Sequence, residues 1–137
     1  MTVELWALLG AMMLLWLSLL IQQIFIDKVG GTKYALSNRD GPVPNATPLN
    51  NRLDRVVRNH VEGLAIFAPL VLIGASAGIS NSWTQLAAVA IVVLRFLHFF
   101  FYATGITPFR SIVWGIGFFL ATPAFIYGLV SSVDLPF

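Results

Sequence analysis

Four apolar segments, each long enough to cross a lipid bilayer, constrain this chain more than any other feature. They cover about residues 3–26, 51–78, 82–103 and 108–130. A helix needs about 20 predominantly apolar residues to span the hydrocarbon core. Only 10% of the residues are charged, against about a quarter in soluble domains. The sequence therefore predicts an all-α integral membrane protein, a single four-helix bundle over residues 1–137.

The links between these segments differ in length. Residues 27–50 contain paired glycines, a Gly-Pro step and several charges, which predicts a long irregular loop. The two later links are short, and short links make neighbouring helices antiparallel. Thr107-Pro108 predicts the start of the fourth helix, with Thr as N-cap. Ser82, followed by Gln85, predicts the N-cap of the third.

Charge is distributed unevenly between the two ends of the predicted bundle. The first loop contains Lys28, Lys33 and Arg39, and Arg52 follows directly after it. Residues 79–81 contain no cation, and the two terminal segments contribute the carboxylates Glu4 and Asp134. Cytoplasmic loops of membrane proteins are enriched in Lys and Arg. We therefore expect the 27–50 loop in the cytoplasm and both termini outside.

Several classes of function are excluded by composition. The chain has no cysteine, so thiolate catalysis and thiolate metal sites are ruled out. Its net charge of +2 and the absence of a basic patch with interleaved aromatics give no indication of nucleic-acid binding. His60 and His98 have no carboxylate at a metal-binding spacing, so we predict no metal site.

The second segment begins with ionisable residues, although it is predicted to enter a membrane. At 100° per residue, Arg55, Arg58 and Glu62 lie on one helix face and His60 points to the other side. Charges at such depth are costly unless they pair, extend to the interface or line a wet cavity. For Arg55, contact with lipid phosphates and a place in a site are equally good interpretations; His60 is better explained as a packing or hydrogen-bonding residue.

The third and fourth segments bring further polar residues to the same end. Arg95, His98 and Tyr102 share one face of the third helix, and the fourth helix begins with Arg110 and Ser111. We expect Arg95 or Arg58 to pair with Glu62. Because the cations outnumber the carboxylates, the cluster suits an anionic ligand held by guanidinium groups.

At these residues the chain resembles the MAPEG family, the membrane-associated proteins in eicosanoid and glutathione metabolism. The resemblance covers nearly the whole chain, including its length, four spans and long first loop. Three motifs carry it: Arg55-x-x-Arg58-x-His60 followed by Pro69, Arg95-x-x-His98-x-x-x-Tyr102, and Pro108-x-Arg110-Ser111. It implies a homotrimer in the membrane, with glutathione bound at subunit interfaces that open to the cytoplasm.

By the same resemblance, the expected site residues fall into two groups. Those that would bind glutathione are Arg55, Arg58, Glu62, Arg95, His98 and Tyr102. Arg110 would favour the thiolate form of the bound sulfur, because a nearby cation stabilises it. Ser111 would donate a hydrogen bond to that sulfur, and we expect these two residues to be catalytic.

The chain departs from the family pattern in two places. Many members carry Asn and, three residues later, Glu in the second helix, where this chain has Glu62 and Ala65. Several members have Tyr one turn after the Arg of the fourth helix, where this chain has Trp114. An indole donates a hydrogen bond but cannot act as a phenol acid. The pattern RNHVEG resembles a bacterial branch, so we expect an inner-membrane protein and not eicosanoid synthesis.

Three hypotheses about function follow. The leading one is a transferase or peroxidase that uses glutathione, or another small thiol, against lipophilic electrophiles that arrive through the lipid. The second is a non-catalytic membrane protein that binds an anionic lipid or small anion in the same cationic cluster. The third, a transporter, has little support because the chain has no inverted repeat of broken helices.

Overall fold

The computed structural model describes residues 1–133 and contains four long helices. Each helix is long and apolar enough to span a membrane. Their bounds are α1, Val3–Ala35; α2, Pro48–Ser76; α3, Ser82–Thr104; and α4, Thr107–Val130. Asp134, used above to orient the C-terminus, lies outside the described residues. We call the end where α2 and α4 begin the basic end.

The helices pack around α3, which contacts all three others. The core lies midway along the bundle, where Phe67 of α2 meets Phe125 of α4 edge to face, with ring centroids 5.9 Å apart. Its other buried members are Leu8, Val71, Ala87, Ala88, Ile91, Ala121 and Leu129. Only 17–28% of the residues in the most apolar windows are buried. The remaining apolar surface suits contact with lipid or with further protomers.

The first helix is longer than the sequence predicted, so the expected loop 27–50 is wrong in its extent. α1 continues through the polar residues after Ile26 and ends at Ala35. The Gln23 side chain donates a hydrogen bond to the Asp27 carboxylate one turn later, at 2.6 Å. The helix can continue beyond the apolar region because its backbone hydrogen bonds are made within the helix itself. Gly31 (φ 70°, ψ 173°) kinks the last turn, a conformation that glycine adopts without strain.

The second helix also begins earlier than expected. Thr47 is its N-cap and Asn50 completes a reciprocal capping box, with Pro48 in the first turn. This Thr-Pro pair is the same start signal that we recognised at the fourth helix. The helix ends at Ser76, two residues before the expected residue 78.

Two predicted caps were wrong by one residue. Asn81, not Ser82, caps α3: its side chain accepts from the backbone N–H groups of Trp83 and Thr84. At α4, Thr107 already belongs to the helix, and the N-cap Ile106 makes no side-chain capping bond. Asn has two polar groups on its side chain, and Asn81 uses the second to donate to the Gly128 carbonyl of α4 at 2.8 Å.

Within α4, the turn Gly117–Ala121 is π-helical, between α-helical segments Thr107–Ile116 and Thr122–Val130. The buried residues Val113, Ala121, Phe125 and Leu129 are spaced by multiples of four. Over this stretch a regular α-helix, at about 100° per residue, would rotate them about 160° away from a common face. The extra residue of a π turn removes about 100° of that rotation.

Local chemistry also favours this π turn. Pro123 has no N–H to offer the carbonyl group four residues earlier, so the regular hydrogen-bond ladder is broken there. Thr122 instead binds the Gly117 carbonyl twice, through its backbone N–H and through its hydroxyl at 2.9 Å. Beside Pro123 the helix therefore changes its register.

At the opposite end from the basic end, a buried carboxylate ties α1 to α3. Glu4 is only 4% exposed. It accepts hydrogen bonds from the Ser80 hydroxyl at 3.0 and 3.1 Å and from the Thr84 hydroxyl at 2.5 Å. A buried carboxylate with several donors needs no cation nearby. This bond network fixes the start of α1 against the start of α3.

Candidate functional site

A groove at the basic end, between α3 and α4, brings together four polar residues of those two helices, His98, Tyr102, Arg110 and Ser111. Its volume is ≈ 480 Å³, within the range of about 300–1,000 Å³ typical of small-molecule sites. We call it the α3–α4 groove. It is lined by Asn59, His98, Tyr102, Arg110, Ser111, Trp114, Gly115 and Phe119.

The helices position these side chains by simple periodicity. His98 and Tyr102 are one turn apart on α3 and both are buried, with ring centroids 5.4 Å apart in an edge arrangement. Arg110, in the first turn of α4, places its guanidinium carbon 4.6 Å from the centre of the Tyr102 ring. A cation over an aromatic face at this distance is stabilised by the ring electrons. Tyr102 thus holds the Arg110 charge at the groove.

Two further polar groups of this groove could interact with a ligand. Ser111 is exposed beside Arg110 and can donate or accept a hydrogen bond. The Nδ1 atom of His98 is buried and has no hydrogen-bond partner within residues 1–133. Buried polar atoms in native proteins almost always have partners. The groove therefore combines a positive charge, a hydroxyl and a buried nitrogen able to bind a further polar atom.

The second helix presents its cations to a different groove. Arg55 and Arg58 are exposed and line the α1–α2 groove, a space of ≈ 420 Å³ bounded by α1, the 36–47 segment and the start of α2. Arg58 pairs with Asp54 at 3.1 Å, and these side chains are 70% and 56% exposed. An exposed pair of this kind contributes little to stability, so Arg58 remains available to a ligand.

The expected partnership of Glu62 with Arg58 or Arg95 is wrong. The structure pairs Arg58 with Asp54, and Glu62 forms no ion pair within residues 1–133. Glu62 is exposed on the surface of α2. Asp54 precedes Arg58 by one turn, in the orientation that stabilises a helical ion pair. Its carboxylate is near enough to stabilise the Arg95 charge, but it makes no ion-pair contact with Arg95.

Arg95 lies between α2 and α3 and forms a hydrogen bond with the backbone of α2. Its guanidinium donates to the Asn59 carbonyl of α2 at 3.2 Å. It also lies directly against Gly63, where an added Cβ would overlap the guanidinium. Two cavities of ≈ 20 Å³ border Arg95, one towards α1 and one towards the α3–α4 groove. A space of this size is enough for one water molecule, which would complete the hydration of the cation.

His60, predicted as a packing or hydrogen-bonding residue, connects three helices. Its Nε2–H donates to the Arg95 carbonyl of α3 at 3.3 Å. Its Nδ1 lies 3.2 Å from the Ser18 hydroxyl oxygen of α1, and that hydroxyl donates to the Leu14 carbonyl at 2.7 Å. His60 and Ser18 are 5% and 1% exposed. The pair therefore fixes the depth at which Arg95 is held.

The structure thus divides the predicted site residues among four locations. Four of them, His98, Tyr102, Arg110 and Ser111, line one groove; Arg55 and Arg58 line another; Arg95 is between helices; and Glu62 is on the surface. The α3–α4 groove is also lined by residues that were not predicted from the sequence, namely Asn59, Gly115 and Phe119. Asn59 precedes His60 and was detectable by helical spacing. Phe119 was not, because the π turn changes the register on which such spacing depends.

Metal chemistry is not supported by side-chain geometry. Within the described residues, no group of three or more His, Cys, Asp or Glu side chains is close enough to hold a metal ion. The groups available to a ligand are guanidinium, imidazole, hydroxyl and amide. These groups bind carboxylates and stabilise anions.

Comparison with known proteins gives one match. The model of the MAPEG family matches residues 3–130, which is most of the chain and includes all four helices. No curated protein and no solved structure matches this chain. The match to the family, together with four membrane-length helices, indicates an integral membrane protein.

Proposed function

Since this chain belongs to the MAPEG family, we propose that it is a membrane transferase or peroxidase that uses glutathione, or another small thiol, against lipophilic electrophiles. Family membership fits a glutathione-related function in the membrane. The observation that carries the proposal is the α3–α4 groove, where Arg110 lies over Tyr102 beside Ser111 and His98.

The proposed chemistry begins with ionisation of the thiol. The Arg110 guanidinium favours the thiolate, because a positive charge near sulfur stabilises the anion. The thiol proton leaves to solvent, and the Ser111 hydroxyl donates a hydrogen bond to the sulfur. The thiolate sulfur then forms a bond to the electrophilic atom of the second substrate. The bond that breaks at that atom, to a leaving group, in a conjugated double bond or between two peroxide oxygens, gives its electron pair to the group that departs or to the conjugated oxygen, which takes up a proton from solvent. The unpartnered Nδ1 of His98 is available to a polar group of the thiol peptide.

A homotrimer would complete this site. The α3–α4 groove contains one cation, Arg110, whereas glutathione carries two carboxylates at neutral pH. Arg55 and Arg58 lie in the separate α1–α2 groove and are exposed in a single protomer. We propose that a neighbouring protomer brings its Arg55 and Arg58 against this α3–α4 groove. Guanidinium groups bind carboxylates by paired hydrogen bonds, so the joined grooves would hold both ends of the peptide.

The orientation in the membrane follows from charge. The basic end, with Arg52, Arg55 and Arg110, is proposed to face the cytoplasm, because cations are enriched on that side. Both termini would then lie outside. The RNHVEG pattern supports a bacterial inner membrane. Glutathione and similar thiols are kept reduced in the cytoplasm, which agrees with a site at this end.

Calorimetric titration of the detergent-solubilised protein with glutathione tests the proposal. We expect saturable binding to the unmodified protein that is lost in Arg110→Ala and in Arg58→Ala. Lys28→Ala is a matched control, because that cation is exposed and lines neither groove. Absence of binding at millimolar glutathione would contradict the proposal and favour the alternative of an anion-binding membrane protein.

A further inference from the structure

The α3–α4 groove has an aromatic wall on one side. Trp114 and Phe118 stack with their ring planes 6° from parallel and centroids 5.1 Å apart. Phe119 stands at right angles to both, at 6.2 Å from Trp114 and 5.1 Å from Phe118. The three side chains are 38%, 41% and 66% exposed. Trp114 and Phe119 line the same groove as Arg110.

The wall depends on the π turn of α4. Trp114 and Phe119 are five residues apart, which in an α-helix would place them about 140° from each other. The turn Gly117–Ala121 closes by hydrogen bonds between residues five apart, as between Thr122 and Gly117. Residues with this spacing are thereby brought to a common side. The π turn thus adds Phe119 to the face that already carries Trp114.

The composition of the groove indicates what kind of electrophile it would prefer. A flat indole supported by a stacked phenyl ring favours a flat, conjugated partner, since aromatic rings prefer offset stacking or edge contacts. Arg110 and Ser111 can stabilise an oxygen that becomes negatively charged during reaction. The groove lies along α4, a helix long enough to cross the membrane, so a ligand dissolved in the lipid can reach it. These features together describe a planar, lipid-soluble conjugated carbonyl compound.

We propose, on the basis of the thiol-dependent function above, that Trp114 and Phe119 determine specificity for quinone-type electrophiles. In the reaction the thiolate sulfur forms a bond to a ring carbon of the quinone. The electrons of the ring carbon–carbon double bond move to the carbonyl oxygen, which takes up a proton from solvent. The ring carbon that carries the sulfur then loses its hydrogen to solvent as a proton, and the second carbonyl oxygen takes up a proton. The product is a hydroquinone thioether, and no other oxidant or reductant is needed.

Binding of the flat ligand is measured without any thiol. A dimethylated naphthoquinone, whose reactive ring carbons are blocked, is titrated into the detergent-solubilised protein while tryptophan fluorescence is recorded. We expect a saturable component of quenching that disappears in Trp114→Leu and is retained in Trp83→Leu. Trp83 is the matched control because it is 55% exposed and meets the Tyr127 ring edge to face, away from the groove. Equal quenching in both variants would mean collisions in the detergent only and would overturn the proposal.

Specificity is measured in the second experiment, with glutathione present. For an unblocked naphthoquinone, Trp114→Leu should raise KM about three- to tenfold, the value of one aromatic contact, and Trp114→Phe should restore most of it. KM for an aliphatic enone of similar hydrophobicity should not change. An equal rise for both substrates would contradict the role of stacking. Because quenching needs no thiol, failure of glutathione binding would be distinguishable from failure of this inference.

Discussion

At the scale of single residues, the site depends on how Arg95 is accommodated. Its guanidinium lies on the backbone of α2 because Gly63 has no side chain to occupy that space. The Asn59 carbonyl accepts one of its hydrogen bonds, and His60 holds the Arg95 backbone in turn. A partly buried cation with few partners is tolerated only when the surrounding residues are arranged to receive it. Gly63 therefore leaves the space that the Arg95 guanidinium occupies.

Gly63→Ala should destabilise the protein by about 1–3 kcal/mol, because the added methyl group overlaps the Arg95 guanidinium and overpacks the α2–α3 contact. Thermal and denaturant unfolding in detergent would measure this loss.

Gly115→Ala is the control for this substitution. Gly115 is also in a helix, but a Cβ built there meets nothing within 4 Å. Replacing a helical glycine by alanine in open space should stabilise by about 0.5–1 kcal/mol. Opposite signs for the two variants are expected, and equal effects would show that Gly63 matters only through helix propensity.

At the scale of secondary-structure elements, α4 combines two requirements on one helix. Its inner residues Val113, Ala121, Phe125 and Leu129 must all face the core. Arg110, in the first turn of α4, must at the same time face the α3–α4 groove. The π turn satisfies the first requirement by correcting the register, and the same turn brings Phe119 to the aromatic wall. The element that completes the packing therefore also shapes the groove.

Deleting Phe118 should leave a folded protein, although deletions inside helices usually disrupt them. The deletion removes the extra residue of the π turn and converts α4 to a regular α-helix. The core residues on both sides then remain within about 60° of a common face. Phe119 would then stand four residues after Trp114, about 40° from it, and take the place of Phe118 in the stack, while Leu120 would take the present place of Phe119. The wall would lose its perpendicular ring but keep the stack on Trp114, so quenching by the blocked naphthoquinone should weaken only in part. Unfolding curves and fluorescence titration would measure the two effects.

Deleting Val93 from α3 provides the comparison. Val93 is 50% exposed, similar to Phe118, but it lies in a regular helix. Its removal should rotate everything that follows, including His98 and Tyr102, by about 100°. We expect this variant to aggregate or to lose a cooperative transition. If both deletions were equally damaging, the π turn would not be acting as a register correction.

At the scale of the whole molecule, a single protomer has two incomplete grooves. Arg58 and Asn59 are successive residues of α2, which point about 100° apart, and they line different grooves. Much of the apolar surface of the four spans is also uncovered. Closed symmetric assembly would place the same two surfaces together at every interface. This arrangement is the basis of the proposed trimer.

Mixed assemblies would test whether one site takes residues from two protomers. Arg58→Ala and Arg110→Ala protein should each be inactive when assembled alone. If a site combines Arg58 of one protomer with Arg110 of the next, random co-assembly of equal amounts should restore about a quarter of the sites. Thiol-binding stoichiometry and turnover would measure the recovery, with double-variant protomers mixed with unmodified ones as reference. No recovery would indicate that both residues serve the same protomer's site.

Much of this architecture was determined by the sequence alone. Apolar length and few charges are local properties, so four membrane-length helices, the polar character of the basic end and the family itself could be predicted. His98, Tyr102, Arg110 and Ser111 come together because helical spacing and antiparallel order already bring their helix ends to one place. The tertiary structure decided what depends on contacts between distant segments. The position of Arg95 against Gly63, the link from His60 to Ser18 and the register change in α4 follow from packing, because each is settled by which backbone or side chain of another helix, or of another turn, occupies the neighbouring space.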